Sequence, residues 1–186
     1  MNISAVLLAG GKSRRMGQDK STILFRNVPL WQIQLDLLRK LPLQELFISA
    51  QTDPPWRPVD IKFVPDDRPS RGPLSGIAAA LSRINGEHLL ALAIDMPFMT
   101  ESYLRNLGEK VERGRGIVPL IANRAEPLAA IYPREAYDEV IGALSGSEFS
   151  LQSLAGTLIA AGKLQPIQVS EKERSLFRNL NEPRDL

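Results

Sequence analysis

The chain contains no cysteine and a single histidine, His88. The first absence excludes disulfides, thiolate metal centres and cysteine nucleophiles, and the second excludes multi-histidine metal sites and argues against histidine-based catalysis. Long apolar runs are missing too. Ile3–Ala9 is apolar only over the length of one strand, no basic stretch precedes it as in a signal peptide, and no run approaches the roughly 20 residues of a membrane span. Charge of one sign is equally scarce: 23 Lys and Arg stand against 21 Asp and Glu, a net charge of +2. Basic residues form no long run and do not interleave with aromatics. Neither nucleic acid nor membrane is an expected partner, and a cytoplasmic location is the simplest expectation.

What is present is ordinary for a globular protein. With 186 residues, 44% hydrophobic and 24% charged, the chain fits one domain spanning 1–186. Apolar stretches at Ile3–Ala9, Leu46–Ala50, Ile61–Val64 and His88–Ile94 read as strands, followed by Gly116–Ile121, Leu128–Tyr132 and Leu164–Val169. Between them lie helical patterns. Leu30, Ile33, Leu37, Leu38 and Leu41 recur at helical spacing after Pro29, which suits a first-turn position. An Ala-rich run follows Gly72-Pro73, Thr100 caps a helix to Val111, and further helices cover Pro133–Leu144 and, with Ser150 as cap, Leu151–Ala160. This alternation predicts an α/β fold: a single-domain three-layer α/β/α sandwich around a mostly parallel, Rossmann-like sheet.

The segment leaving the first strand carries the densest chemistry. Leu8-Ala9-Gly10-Gly11 is followed by Lys12, Arg14, Arg15 and Lys20, interrupted in sign only by Asp19. In a doubly wound sheet, ligands sit outside the carboxyl ends of strands. Paired glycines let backbone N–H groups approach phosphate oxygens, and clustered cations suit a triphosphate. Two phosphate motifs fail the test. Gly11-Lys12-Ser13 resembles the tail of a P-loop, but Val6 stands where the earlier glycine belongs, and G-x-G-x-x-G is absent. A glycine turn followed by a solvated basic stretch remains the plain alternative.

Three other places hold candidate polar groups. Asp95 ends an apolar strand just before Met96-Pro97, where a lone carboxylate facing a triphosphate meets what Mg2+ asks of a protein. The alternative is a helix-capping aspartate. Asp66 ends another strand before Ser70-Arg71-Gly72-Pro73-Leu74-Ser75-Gly76, and Asn179 and Asn181 lie near the carboxyl terminus. For these three, turn formation is the competing role. His88, inside an apolar strand, reads as a hydrogen-bonded structural residue, and Trp31 and Trp56 as packing.

The string Leu8-Ala9-Gly10-Gly11, with Arg15-Met16-Gly17 and Asp19-Lys20, resembles the signature of the molybdenum-cofactor guanylyltransferase group of nucleotidyltransferases. Asp95-Met96-Pro97 resembles that group's D-x-P, Gly72–Gly76 its G-P-L-x-G, Pro127–Tyr132 its P-L-x-A-x-Y, and Phe177–Pro183 its F-x-N-x-N-T-P with Glu182 in place of threonine. The likeness spans roughly residues 5 to 185.

The resemblance implies a nucleotide-diphospho-sugar-transferase-like (GT-A-like) fold. It implies nucleotide binding by Leu8, Ala9, Gly10, Gly11, Lys20, Ser49, Asp66 and Asp95, and catalysis by Arg15, Lys20 and Asp95. Asp95 would hold Mg2+ as cofactor, and Asn179 and Asn181 would help hold the metal or the acceptor phosphate. Besides Glu182, one departure matters: Ser49 stands where guanylyl-transferring members usually carry an asparagine that contacts base or ribose. Gly10 points to guanine, since cytidylyl relatives tend to place alanine there and a missing methyl leaves room for a purine edge. The implied substrates are GTP and molybdopterin, with pyrophosphate released and transient contact with cofactor-delivering proteins. A cytidylyl- or other nucleotidyltransferase, and a nucleotide-binding partner protein without turnover, stay open as alternatives.

Overall fold

A computed structural model describes residues 2–10, 20–66, 70–146 and 149–180. The chain runs β1 (Ile3–Leu8), a 3-10 turn (Lys20–Thr22), β2 (Leu24–Phe25), β3 (Val28–Pro29), α1 (Leu30–Arg39), β4 (Leu46–Ala50), β5 (Lys62–Pro65) and α2 (Pro73–Leu81). It continues through β6 (His88–Ala93), α3 (Glu101–Glu109), β7 (Gly116–Ile121), β8 (Arg124–Ala125) and β9 (Ala129–Pro133). A 3-10 turn (Arg134–Ala136), α4 (Tyr137–Ser145), α5 (Leu151–Ala160), β10 (Leu164–Gln168) and a last 3-10 turn (Arg174–Phe177) complete it.

The main sheet has the order β10-β7-β9-β6-β1-β4-β5, with β8 hairpinned onto β7. β1 pairs in parallel with both β4 and β6, β4 with β5, and β10 with β7. Only β9 along that order runs against its neighbours, antiparallel to β6 and β7. The three-layer, mostly parallel expectation therefore describes the molecule.

Two cores flank the sheet because strand side chains alternate between its faces. Ala5 and Leu7 of β1, Leu90 and Leu92 of β6, and Ala129 and Ile131 of β9 pack with α1 and α3. Their neighbours Val6, Leu8, Leu89, Ala91, Ala130 and Tyr132 pack on the other face with α2, α4 and α5. Helix α2 is buried along Leu74–Leu81, as its Ala-rich composition allows. It lies close to the sheet at Gly76, where a Cβ would stand 2.7 Å from Leu8 Cδ2 and 2.9 Å from Ser49 Oγ. A side chain there would force the helix outward.

The helix caps match expectation at Thr100, whose side chain accepts from Tyr103 N, and at Ser150, which accepts from Ser153 N. Pro29 differs by one position. It precedes the first turn of α1 in extended conformation and closes the small β2–β3 hairpin. That hairpin turns on Arg26 and Asn27, both at positive φ, as its two-residue turn requires. His88 is fully buried, and its Nε2 lies 3.0 Å from the Glu112 carbonyl oxygen, the structural role expected of it.

Candidate active site

Strand order sets the position of the cleft. From β1 the chain winds outward through β4 and β5, then crosses back to place β6 on the other side of β1. The carboxyl ends of β1 and β6 thus diverge at a topological switch point, where a crevice opens in sheets of this kind. Main-chain bonds fix its floor: Ala9 N donates to Ser49 O at 2.8 Å, and Ile94 N donates to Leu8 O at 3.2 Å.

A cavity of about 470 Å³ occupies this place. It is lined by Leu8, Ala9 and Gly10 after β1, Asp66 and Ser70 after β5, and Ala93–Asp95 after β6, with Lys20 and Leu128 at its sides. Within it Lys20 Nζ donates to Asp95 Oδ2 at 2.8 Å, and both side chains are mostly shielded from solvent. The sequence-derived residues Leu8, Ala9, Gly10, Lys20, Asp66 and Asp95 therefore share one cleft. Another cavity, of about 350 Å³, is lined mostly by apolar side chains such as Ile3, Leu41, Leu90, Leu104 and Ile131, with Arg105 and Glu109 as its charged residues.

Lys20 is held from behind. The next residue, Ser21, is buried, and its hydroxyl accepts from Trp56 Nε1 at 2.8 Å. Trp56 stacks on Trp31 of α1, the ring centroids 5.3 Å apart and the planes 12° from parallel. The two tryptophans do pack, and one of them also braces the turn that carries Lys20. Their separation in sequence hid this.

Asp95 is held from the carboxyl terminus. Phe177 meets the Tyr103 ring edge-on at 5.3 Å, and Leu180 N donates to Asp95 O at 2.9 Å. Burial, aided by the Glu173 charge, pushes the Tyr103 hydroxyl up to about 12, so this joint stays neutral near neutral pH. Asn179, beside Leu180, keeps a buried Oδ1 with no hydrogen-bond partner among the described residues. Glu126, two residues before Leu128, is half-buried. Burial raises its carboxyl above the ordinary value although Arg124 opposes the shift.

Ser49 lies elsewhere than its expected contact role implies. It is 1% exposed, and its hydroxyl donates to Asp66 Oδ1 at 2.6 Å, behind the aspartate rather than on the cleft lining. Asp66 in turn sits close to Gly10: a Cβ on Gly10 would stand 3.1 Å from Asp66 Oδ2. Gly11, Arg15 and Asn181, expected at the site, lie outside the described residues.

The arrangement can do limited chemistry. It offers a cation, Lys20, two carboxylates, Asp66 and Asp95, and a floor of backbone that suits a polyanion. Among the described residues no group of three or more His, Cys, Asp or Glu side chains could hold a metal unaided. A hard divalent ion that takes most of its ligands from phosphate and water fits this donor set. Among the described residues no helix is long and apolar enough to cross a membrane.

Residues 5–160 match the model of the MobA-like NTP transferase domain. A protein of Opitutus terrae named probable molybdenum cofactor guanylyltransferase is 32% identical over 186 residues, covering 98% of this chain and 92% of its own length. The molybdenum cofactor guanylyltransferase of Syntrophotalea carbinolica is 31% identical over 188 residues, covering 98% and 88%. Among solved structures, molybdopterin-guanine dinucleotide biosynthesis protein A from Archaeoglobus fulgidus superposes with a TM-score of 0.79 at 24% identity, covering 98% of this chain and 94% of that one. The 2-C-methyl-D-erythritol 4-phosphate cytidylyltransferase of Thermus thermophilus shares the fold at a TM-score of 0.69 and 16% identity, covering 97% and 93%.

Proposed function

The chain belongs to the MobA-like NTP transferase domain family, and from that premise we propose that this nucleotidyltransferase moves GMP from GTP onto a molybdopterin-type cofactor. The observation that carries the reading is the cleft at the switch point, where Lys20 and Asp95 meet across the ends of β1 and β6. The relatives carry the name guanylyltransferase, and Gly10 stands where this group places glycine.

In the proposed reaction an ionised phosphate oxygen of the acceptor attacks the α-phosphorus of GTP in line. The bond from that phosphorus to the oxygen bridging to the β-phosphorus breaks, and pyrophosphate leaves with the electron pair. The attacking oxygen is already an anion, so no general base is needed, in keeping with a chain that has one buried histidine and no cysteine. Catalysis then consists of positioning and charge neutralisation.

Lys20, and Arg15 outside the described residues, would neutralise phosphate charge. Leu8, Ala9, Gly10 and Gly11 would line the nucleotide, and Asp66 would meet the nucleoside. Asp95 would hold Mg2+, with Asn179 and Asn181 serving the acceptor end. Mg2+, when bound, supplies positive charge to the phosphate oxygens. The same reading carries a cytoplasmic location and transient contacts with proteins that deliver the cofactor.

The test is incubation with Mg2+ and each nucleoside triphosphate, with and without molybdopterin, while following pyrophosphate. Release that requires both GTP and molybdopterin is expected. CTP-selective release would replace guanylyl by cytidylyl transfer, and GTP binding without release under any acceptor would remove the enzymatic reading.

A further inference from the structure

Ser49 is a position at which the chain departs from its group, and its surroundings give it a job. Its backbone carbonyl accepts from Ala9 N at 2.8 Å, while its side-chain hydroxyl donates to Asp66 Oδ1 at 2.6 Å. One residue therefore ties the root of the glycine loop to the carboxylate at the end of β5. The other oxygen, Asp66 Oδ2, accepts from Ser70 Oγ at 3.3 Å and is the atom nearest a Cβ on Gly10, at 3.1 Å. On its far side Ser49 is closed off by α2, since its Oγ would lie 2.9 Å from a Cβ on Gly76. Ser49 is buried at 1% exposure, and the hydroxyl's bond to Asp66 Oδ1 points it at the carboxylate.

We infer that Ser49 is a positioning residue: it holds the Asp66 carboxylate against the open Cα of Gly10, so that Asp66 and not Ser49 meets the nucleoside. This deepens the nucleotide site proposed above and rests on it. A carboxylate is an acceptor without a donor of its own, so what it recognises is an N–H or O–H donor. On a guanine nucleotide the candidates are the exocyclic amine and the ribose 2′-hydroxyl. Gly10 contributes by lacking a methyl, which would crowd the carboxylate before any purine arrived. The room that glycine provides is shared between ligand and Asp66.

A double-mutant cycle tests the assignment. Binding of whichever nucleoside triphosphate the wild-type chain holds most tightly is measured by calorimetry in Mg2+ buffer for wild type, Ser49→Ala, Asp66→Ala and the double variant. A hydrogen bond to a charged group makes the expected loss in Ser49→Ala about tenfold in affinity. In the Asp66→Ala background the same change has no further effect, because coupled residues are non-additive. Ser49→Ala also raises KM while kcat at saturation holds, which a general loosening of the core would not do. Ser70→Ala, at the cleft lip, is expected to give a smaller loss that likewise disappears without Asp66.

With 2′-deoxyGTP and ITP in place of GTP, the Ser49→Ala penalty shrinks for the nucleotide that lacks the donor Asp66 takes. Equal losses with and without Asp66, no loss at all, or the same penalty on all three nucleotides would overturn the inference. A wild-type preference for CTP would sink the guanylyl reading while leaving the cycle intact. Failure to bind any nucleoside triphosphate would sink both.

Discussion

Lys20 and Asp95, 75 residues apart in the chain, meet at 2.8 Å on opposite lips of the cleft. The two opposite charges offset one another. On the proposed reading a triphosphate would offer the lysine a stronger partner, and a divalent ion would do the same for the aspartate. In the proposed nucleotide complex, binding would exchange partners instead of exposing bare charges, which would keep its electrostatic cost low.

The simplest consequence concerns Asp95→Asn. The amide keeps the shape and leaves the main-chain bond from Leu180 N to Asp95 O undisturbed, so the fold and melting temperature persist. Turnover, measured as pyrophosphate release, is expected to fall by about 100-fold or more, as when a group stabilising transition-state charge is lost. Wild-type turnover would discard the metal role.

Lys20→Met separates structure from function. The pair is shielded but not sealed, with side-chain exposures of 21% and 14%. Its contribution to unfolding free energy is expected to be about 1 kcal/mol or less. Activity and triphosphate affinity should drop far more than that, and denaturant titration beside KM measurement checks the contrast.

Trp56→Phe keeps an aromatic ring against Trp31 but removes the donor to Ser21. Stability is expected to fall by about 1 kcal/mol, the usual net value of one hydrogen bond. The turn holding Lys20 then loses its brace, so KM for the triphosphate rises several-fold. An unchanged KM would show that the turn is fixed by other contacts.

Acid sensitivity is expected at the opposite end of the sheet. Burial works to raise the Glu45 carboxyl, but the Lys62 ammonium and the Asn85 backbone and side-chain donors outweigh it and hold the group below its ordinary value of 4.5. A carboxyl depressed by folding stabilises the native state above its unfolded pKa, and that contribution is lost as pH falls through the folded value. Melting temperature should thus decline below about pH 4.5, with a shallower decline in Glu45→Gln.

Much of this was legible from residue order. The apolar strands β1, β4 and β6 and the periodic helix α1 are long enough for their patterns to be unambiguous, and an aspartate directly after an apolar strand must emerge at the sheet edge. The two-residue strands β2, β3 and β8 were not legible. Their turns use Arg26-Asn27 and Ala122-Asn123 at positive φ without the glycine that usually marks them. The reversal of β9 was hidden because a strand buried on both faces has the same pattern in either direction. Within the site, membership of the cleft followed from strand ends, but the direction of the Ser49 side chain depended on Gly76 and Asp66, which its own segment does not specify.

The interior position of β1 has a mechanical consequence. Its last residues are stitched on one flank to Ser49 and on the other to Ile94, so neither neighbour can peel away without breaking a ladder. Amide exchange at Ala9 and Ile94 should accordingly be among the slowest in the protein. In the proposed nucleotide complex, tolerance for a larger or smaller base would come from side chains at the rim, because the bed beneath behaves as an anvil.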